Sequence, residues 1–254
     1  MRIVRIDAHA HLYDSYSVEE WCRAAFKNLG GGEGALPLVI VVDREGQHSL
    51  GRLRREAPSF AAWRELGNGG AGEITFETGS MLVVQGVQYV TRERIEVLGL
   101  GIQRSVGDGL GVRDYISVIQ RGGGVPCLPW SPGKWLGARG RGVRAILADT
   151  APGALTVGDI SINFLGSPPC SLLRYARRRG FSVLCGSDPL PFKQDQGLVG
   201  SFGVELKLSS LGEGELPTWE PIKSLLLSGA SSAVWGRANT PLKAAARFFR
   251  AQAR

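Results

Sequence analysis

Apolar positions along the chain fall into short runs separated by glycine-rich breaks, and the runs switch between strand-like and helix-like spacing. Ile3, Val4 and Ile6 predict a first strand from Arg2 to His11 that ends in polar residues. Ser17, with Glu20 three residues on, reads as a capping box, so a helix is expected from Val18 to about Leu29, broken by Gly30, Gly31, Gly32 and Gly34. Leu38 to Val42 is fully apolar, as in a strand covered on both faces, and ends in Asp43. Leu50 to Glu56 starts a helix that Pro58 interrupts, and Gly67 to Gly72 reads as a loop. Ile74 to Thr78, Met81 to Gln85 and Val87 to Thr91 read as three short strands divided by Gly79 and Gly86.

Ile95 to Gly99 is a further apolar strand carrying Glu96, and Val112 to Arg121 is an amphipathic helix stopped by Gly122, Gly123 and Gly124. Strands are expected at Val125 to Leu128, Arg144 to Ala148, Asp159 to Phe164 and Ser182 to Cys185, with a helix at Ser171 to Arg179. The last helices are Thr218 to Ser228 and Pro241 to Ala253, with Thr240 as N-cap. Such alternation predicts an α/β fold built on a parallel sheet or barrel. A length of 254 residues without a repeat or long linker suits one domain spanning residues 1–254.

Composition narrows the class. A hydrophobic share of 43% and a charged share of 21% are ordinary for a globular chain. The net charge of +7 favours anionic partners, or simply keeps the surface solvated. Cys22, Cys127, Cys170 and Cys185 form no C-x-x-C pair, which argues against a cysteine zinc site and for reduced thiols. The N-terminus lacks the apolar stretch of a signal peptide and no apolar run spans a bilayer, so the cytoplasm is the expected location.

The densest chemistry lies in Asp7-Ala8-His9-Ala10-His11. In a regular strand Asp7, His9 and His11 share a face, with Ala8 and Ala10 on the other. Two imidazoles at a strand end can share a cation and suit zinc, iron or manganese; the plain alternative is a pair of surface histidines. Val183-Leu184-Cys185-Gly186-Ser187-Asp188 delivers a carboxylate at a strand tip, where Asp188 would bind metal, accept a proton from a metal-bound water, or only close a turn before Pro189. Glu96 inside an apolar strand must be paired, protonated or metal-bound. In the loop after Pro129, Lys134 and Arg139 are candidates to hold an anionic group, and Trp130 and Trp135 to wall a pocket. Asp43 ends a strand and is expected at the same rim, while His48 reads as a loop residue.

Taken in order, these pieces resemble the polymerase and histidinol phosphatase (PHP) superfamily. Asp7-x-His9-x-His11 looks like its opening D-x-H-x-H motif. Val41-Val42-Asp43-Arg44 lies where that family has a strand ending in T-D-H, and Ile95-Glu96-Val97 looks like its strand with a metal-binding Glu. Gly186-Ser187-Asp188 resembles its late G-S-D-A-H segment. Arg44 replaces a histidine, Trp130 stands near another ligand position, and Pro189-Leu190 replaces Ala-His. The resemblance implies a distorted TIM-like barrel with one or two divalent ions (Zn, Mn or Fe) held by His9, His11, Glu96 and Asp188, with Asp7 and Asp43 in support. The related amidohydrolase superfamily also opens with H-x-H.

The leading expectation is a metal-dependent hydrolase acting on a phosphoester or other anionic small molecule, with Asp188 as base and Lys134 and Arg139 binding substrate. Two alternatives stand beside it. One is an amidohydrolase-type enzyme cleaving a C–N bond or lactone. The other is a non-enzymatic PHP-like scaffold that binds protein or nucleic acid through its basic surface.

Overall fold

A computed structural model describes residues 2–131, 134–160, 170–208, 215–229 and 233–236. In chain order the elements are β1 (Arg2–Ala10), α1 (Val18–Asn28), β2 (Ala35–Asp43), α2 (Ser49–Glu56), β3 (Ala62–Leu66), β4 (Ala71–Phe76), β5 (Gly79–Val90), β6 (Glu96–Leu100), α3 (Val112–Arg121) and β7 (Val125–Pro129). They continue with α4 (Gly137–Asp149), β8 (Thr156–Ile160), α5 (Ser171–Arg178), β9 (Val183–Gly186), β10 (Phe202–Leu208), α6 (Trp219–Ser228) and β11 (Ala233–Gly236). The helix expected at Pro241 to Ala253, its Thr240 cap and the end of the strand expected at Asp159 to Phe164 lie outside the described residues.

The strands form one sheet in the order β11-β10-β1-β2-β5-β6-β7-β8-β9, with the β3–β4 hairpin branching from β5. The sheet is mixed, where sequence reasoning expected a parallel one. β1, β2 and β5 run parallel, as do β7, β8 and β9, but β6 is antiparallel to both of its neighbours. It curls until β9 meets β1, where the Asp188 N–H donates to the His9 carbonyl at 2.8 Å. The result is a nearly closed, distorted TIM-like barrel.

Burial follows the pleat. Val4, Ile6, Leu38, Ile40, Leu82, Val84, Leu98 and Leu100 fill the interior. Outer faces pack against α1 and α2 on one side and against α3, α4 and α5 on the other. Ile222 and Leu226 of α6 join the interior core, and Trp219 donates to the Gly123 carbonyl at 3.2 Å, so α6 plugs the end from which β7 starts. The opposite rim gathers the C-terminal ends of β1, β2, β7 and β9. Because β6 is reversed, its first residue, Glu96, reaches this same rim.

Several sequence expectations need correction. Arg144 to Ala148 belongs to helix α4, whose buried positions Gly140, Val143, Ile146 and Leu147 follow helical spacing; a four-residue apolar run after Arg144 is too short to reveal its period. Met81 to Thr91 is not interrupted at Gly86, because β5 runs through it. A Cβ there would stand 3.0 Å from Ile40 Cγ2 and 3.3 Å from the Gly99 carbonyl, so this glycine answers close packing and not a turn. The Gly67 to Gly72 segment is the tight end of the β3–β4 hairpin. Ser17 caps α1 by accepting from the Glu20 N–H at 3.3 Å, but the Glu20 carboxylate receives Gln196 Nε2 instead of completing the box.

Candidate metal centre

The two histidines owe their common direction to a break in β1. Asp7 pairs with Val39 and Ala10 with Val41, so β1 carries one extra residue between them. This bulge shifts the alternation by one place. Ala8 packs in the interior with Val4 and Ile6, whereas Ala10 packs outside with Trp21 and Val39. His9 and His11 therefore point into the barrel at its rim. The expectation that Asp7 shares their face fails for the same reason.

Asp7 instead fastens β1 to the chain that closes the barrel. Its buried carboxylate accepts from the Ser187 N–H at 2.9 Å, the Ser187 hydroxyl at 2.5 Å, the Gly200 N–H at 2.8 Å and the His9 N–H at 3.2 Å. Burial raises its pKa to about 6, against the pull of these donors, so it is ionised at neutral pH. This tie holds Ser187, and with it Asp188, against the tip of β1. Asp188 has a φ of 39°, in the left-handed region that few residues other than Gly, Asn and Asp adopt. Gly186 allows the approach: a Cβ there would lie 2.6 Å from His9 N and 2.5 Å from His9 Cβ.

Three ligand atoms converge. His9 Nε2 and His11 Nε2 are 3.2 Å apart, and Asp188 Oδ1 lies 3.6 Å from the first and 3.5 Å from the second. Ligand atoms at about 2.0–2.1 Å from a tetrahedral ion stand about 3.3–3.4 Å from one another. The three spacings fit that requirement closely. His11 Nδ1 is 2.7 Å from the Val42 carbonyl, an acceptor, which assigns the proton to Nδ1 and leaves the Nε2 lone pair facing the site. The buried Nδ1 of His9 has no hydrogen-bond partner among the described residues, so nothing at that nitrogen fixes the ring as Val42 fixes that of His11.

Burial holds both imidazoles in the neutral, ligand-competent form. It is the first cause in each case, lowering His11 to about 3 with help from neighbouring His9, and lowering His9 as well. Among the described residues, His9, His11 and Asp188 are the group with the geometry to hold an ion.

The other residues singled out in the sequence fall into three places. Glu96 reaches the same rim, but Lys134 holds it in an ion pair, the first of the three alternatives open to a carboxylate in an apolar strand. Asp43 is buried, accepting from the Ser49 N–H at 3.0 and 3.2 Å and from Gln85 Nε2 at 3.0 Å, which ties the end of β2 to α2 and β5. Arg139 lines a separate groove with Arg92 and Arg113, between the starts of α3 and α4. Trp135 packs into the helix-facing core, with Trp130 against it. His48 is an exposed loop residue just before α2.

Sequence reasoning misses two polar residues towards the rim ends of β2 and β5. Arg44 donates to Tyr13 Oη at 3.2 Å, and the Tyr13 ring lies 5.3 Å from that of His11. Gln88 is a buried amide within the apolar run of β5. The reasoning that drew attention to Glu96, a polar group inside an apolar strand, applies equally to Gln88.

No family model and no curated protein sequence matches the chain. Solved structures do. PsfC from Pseudomonas syringae PB-5123 aligns over 100% of both chains with a TM-score of 0.57 and 14% identity. The lesion-specific endonuclease PfuEndoQ from Pyrococcus furiosus covers 91% of this chain, with a TM-score of 0.53 and 11% identity, and this chain spans 57% of its length. A two-domain protein from Bacteroides vulgatus ATCC 8482, described as containing a predicted PHP-like metal-dependent phosphoesterase, covers 92% of this chain at a TM-score of 0.50 and 12% identity; 65% of its own length is matched. At such identities the likeness is one of fold: the chain has the distorted TIM-like barrel of PHP type, and the amidohydrolase part of the expectation gains no support.

Proposed function

We propose that this chain is a metal-dependent hydrolase of phosphoester type, with one divalent ion held by His9, His11 and Asp188. The observation that carries the proposal is the convergence of two imidazole nitrogens and a carboxylate oxygen, 3.2–3.6 Å apart, from two strand tips 177 residues apart in sequence, His11 to Asp188. A divalent ion bound there would lower the pKa of a coordinated water and polarise a phosphoryl oxygen. The Val42 carbonyl keeps the His11 ring in its ligand orientation. Asp188 carries the negative charge of the set and is the base in this reading, receiving the nucleophile's proton on its carboxylate. Arg44 and Lys134 flank the histidines and meet the anionic end of the substrate. Glu96 counts as the charge partner of Lys134 and not as a fourth ligand, and Arg139, in its separate groove, has no part.

The test is metal content and turnover on one preparation. Protein reconstituted with zinc or manganese is expected to hold about one ion per chain and to cleave p-nitrophenyl phosphate or its diester. The double variant His9→Ala with His11→Ala should lose both properties. A wild-type chain that takes up no metal would sink the proposal, and turnover confined to lactones or amides would replace phosphoesters with that class. The scaffold reading draws on the hold of Lys134 over Glu96 and the small ligand set. Salt-sensitive nucleic-acid binding that survives the double variant would favour it.

A further inference from the structure

The interior face of β5 changes character towards the rim. Leu82 and Val84 belong to the interior core, and Gly86 sits where a Cβ would press on Ile40 and Val42. Gln88 follows on the same face. Its partner across the antiparallel ladder is Leu98, also an interior residue, and directly opposed residues share a face. Gln88 is only 5% exposed. Its main-chain carbonyl accepts from Arg104, but among the described residues its side-chain amide has no hydrogen-bond partner. Gln88 is the polar residue on the interior face of β5 where apolar core gives way to the rim, and its amide is available to a ligand there.

Arg44 arrives beside it from β2. The parallel ladder sets Val42 against Gly86 and Asp43 against Val87, which carries Arg44 to the level of Gln88. Tyr13 steadies the guanidinium, which stands 5.5 Å from the ring centre, and among the described residues no carboxylate pairs with it. The charged side chains that act on the His9 ring are Asp188, Lys134, Glu96 and Arg44. A divalent ion bound there would add two positive charges to this set and favour an anion.

We infer that Gln88 and Arg44 form a two-point anchor for the anionic group of the substrate, Gln88 donating its amide N–H from the floor and Arg44 its guanidinium from the rim. The inference rests on the metal-dependent reading above and adds how that site selects and positions an oxyanion. Both are positioning and specificity residues in this account, since neither is a metal ligand.

Calorimetric titration separates the two claims, with zinc added first and inorganic phosphate second, to wild type, Gln88→Leu, Arg44→Gln and Arg44→Lys. Each variant is expected to bind zinc within about twofold of wild type, while phosphate binding weakens about tenfold or more in Gln88→Leu and Arg44→Gln. Arg44→Lys should recover part of the loss. With p-nitrophenyl phosphate the change should fall mainly on KM. Folded Gln88→Leu with zinc bound and wild-type phosphate affinity overturns the anchor and leaves the hydrolase reading standing. Should that variant fail to fold, wild-type phosphate affinity in Arg44→Gln overturns it equally. Wild-type protein without zinc uptake overturns both.

Discussion

Asp7 and His11 stand four residues apart, and burial pushes their proton affinities in opposite directions. Asp7 is a buried anion with four donors, three of them from the chain that closes the barrel and one from β1 itself. Asp7→Asn keeps the shape but sets an NH₂ group against N–H donors. A loss of about 2–4 kcal/mol in unfolding free energy is expected, read from urea denaturation. Zinc affinity should fall too, since Ser187 and Asp188 lose their tether. Unchanged denaturation would mean that the tie contributes nothing. His11 supplies the pH dependence of the metal-free protein. Its folded pKa of about 3 lies below the 6.5 of the unfolded chain. Between those values the unfolded chain holds a proton that the folded chain lacks, so this contribution to stability is lost as pH falls through 6.5. Asp7 acts in the opposite sense between 3.8 and about 6, where the folded chain holds the extra proton. Comparing wild type with His11→Gln in chelator cancels the shared Asp7 contribution. From about pH 7.5 to about pH 6 the wild-type midpoint should fall further than that of the variant. An equal fall in both would contradict the buried neutral imidazole.

At the scale of elements, the site depends on one irregular strand and one tight approach. The extra residue in β1 turns His9 and His11 inward, and Gly186 lets β9 close on it. Gly186→Ala would place a Cβ within 2.5–2.9 Å of three His9 atoms, two of them main-chain. A destabilisation of about 1–3 kcal/mol is expected, with weaker zinc binding as β1 and β9 are pushed apart. Gly197→Ala, where a Cβ meets nothing within 4 Å, is the neutral control. Equal behaviour of the two variants would remove Gly186 from the account. Much of this level was legible in the sequence. Helices α1, α3, α5 and α6 and strands β1, β2, β6, β7 and β9 lie where the spacing puts them, because each carries a clear period or a capping residue. β10 could have been read as well: Phe202, Val204, Leu206 and Leu208 alternate, and all four are buried. Among the described elements, helix α4 is the one whose sequence reads as a strand, its buried face being made partly of Gly140.

At the scale of the whole molecule, a chain of net charge +7 surrounds a mouth that proposes to receive an anion. Its field should speed the capture of such a substrate and be screened by salt. With p-nitrophenyl phosphate, kcat/KM is expected to fall several-fold between about 0.05 M and about 0.5 M salt, while a neutral ester should respond little. Equal salt response of the two substrates would assign the charge to solubility alone. An α/β sheet or barrel was foreseeable from alternating elements, the barrel itself from the resemblance to the PHP superfamily, and the placing of His9, His11 and Asp188 at strand ends from the residues themselves, because strand period and strand termination are local properties of the sequence. Strand direction is not local. The reversal of β6, which carries Glu96 to the working rim and into the grasp of Lys134, depends on which neighbour the strand pairs with. The bulge that parts Asp7 from the histidines depends on the register against β2, and the floor made by Gln88 on which face of β5 is turned inward. Those matters were decided by pairing and packing between segments far apart in sequence, where no window of residues holds the information.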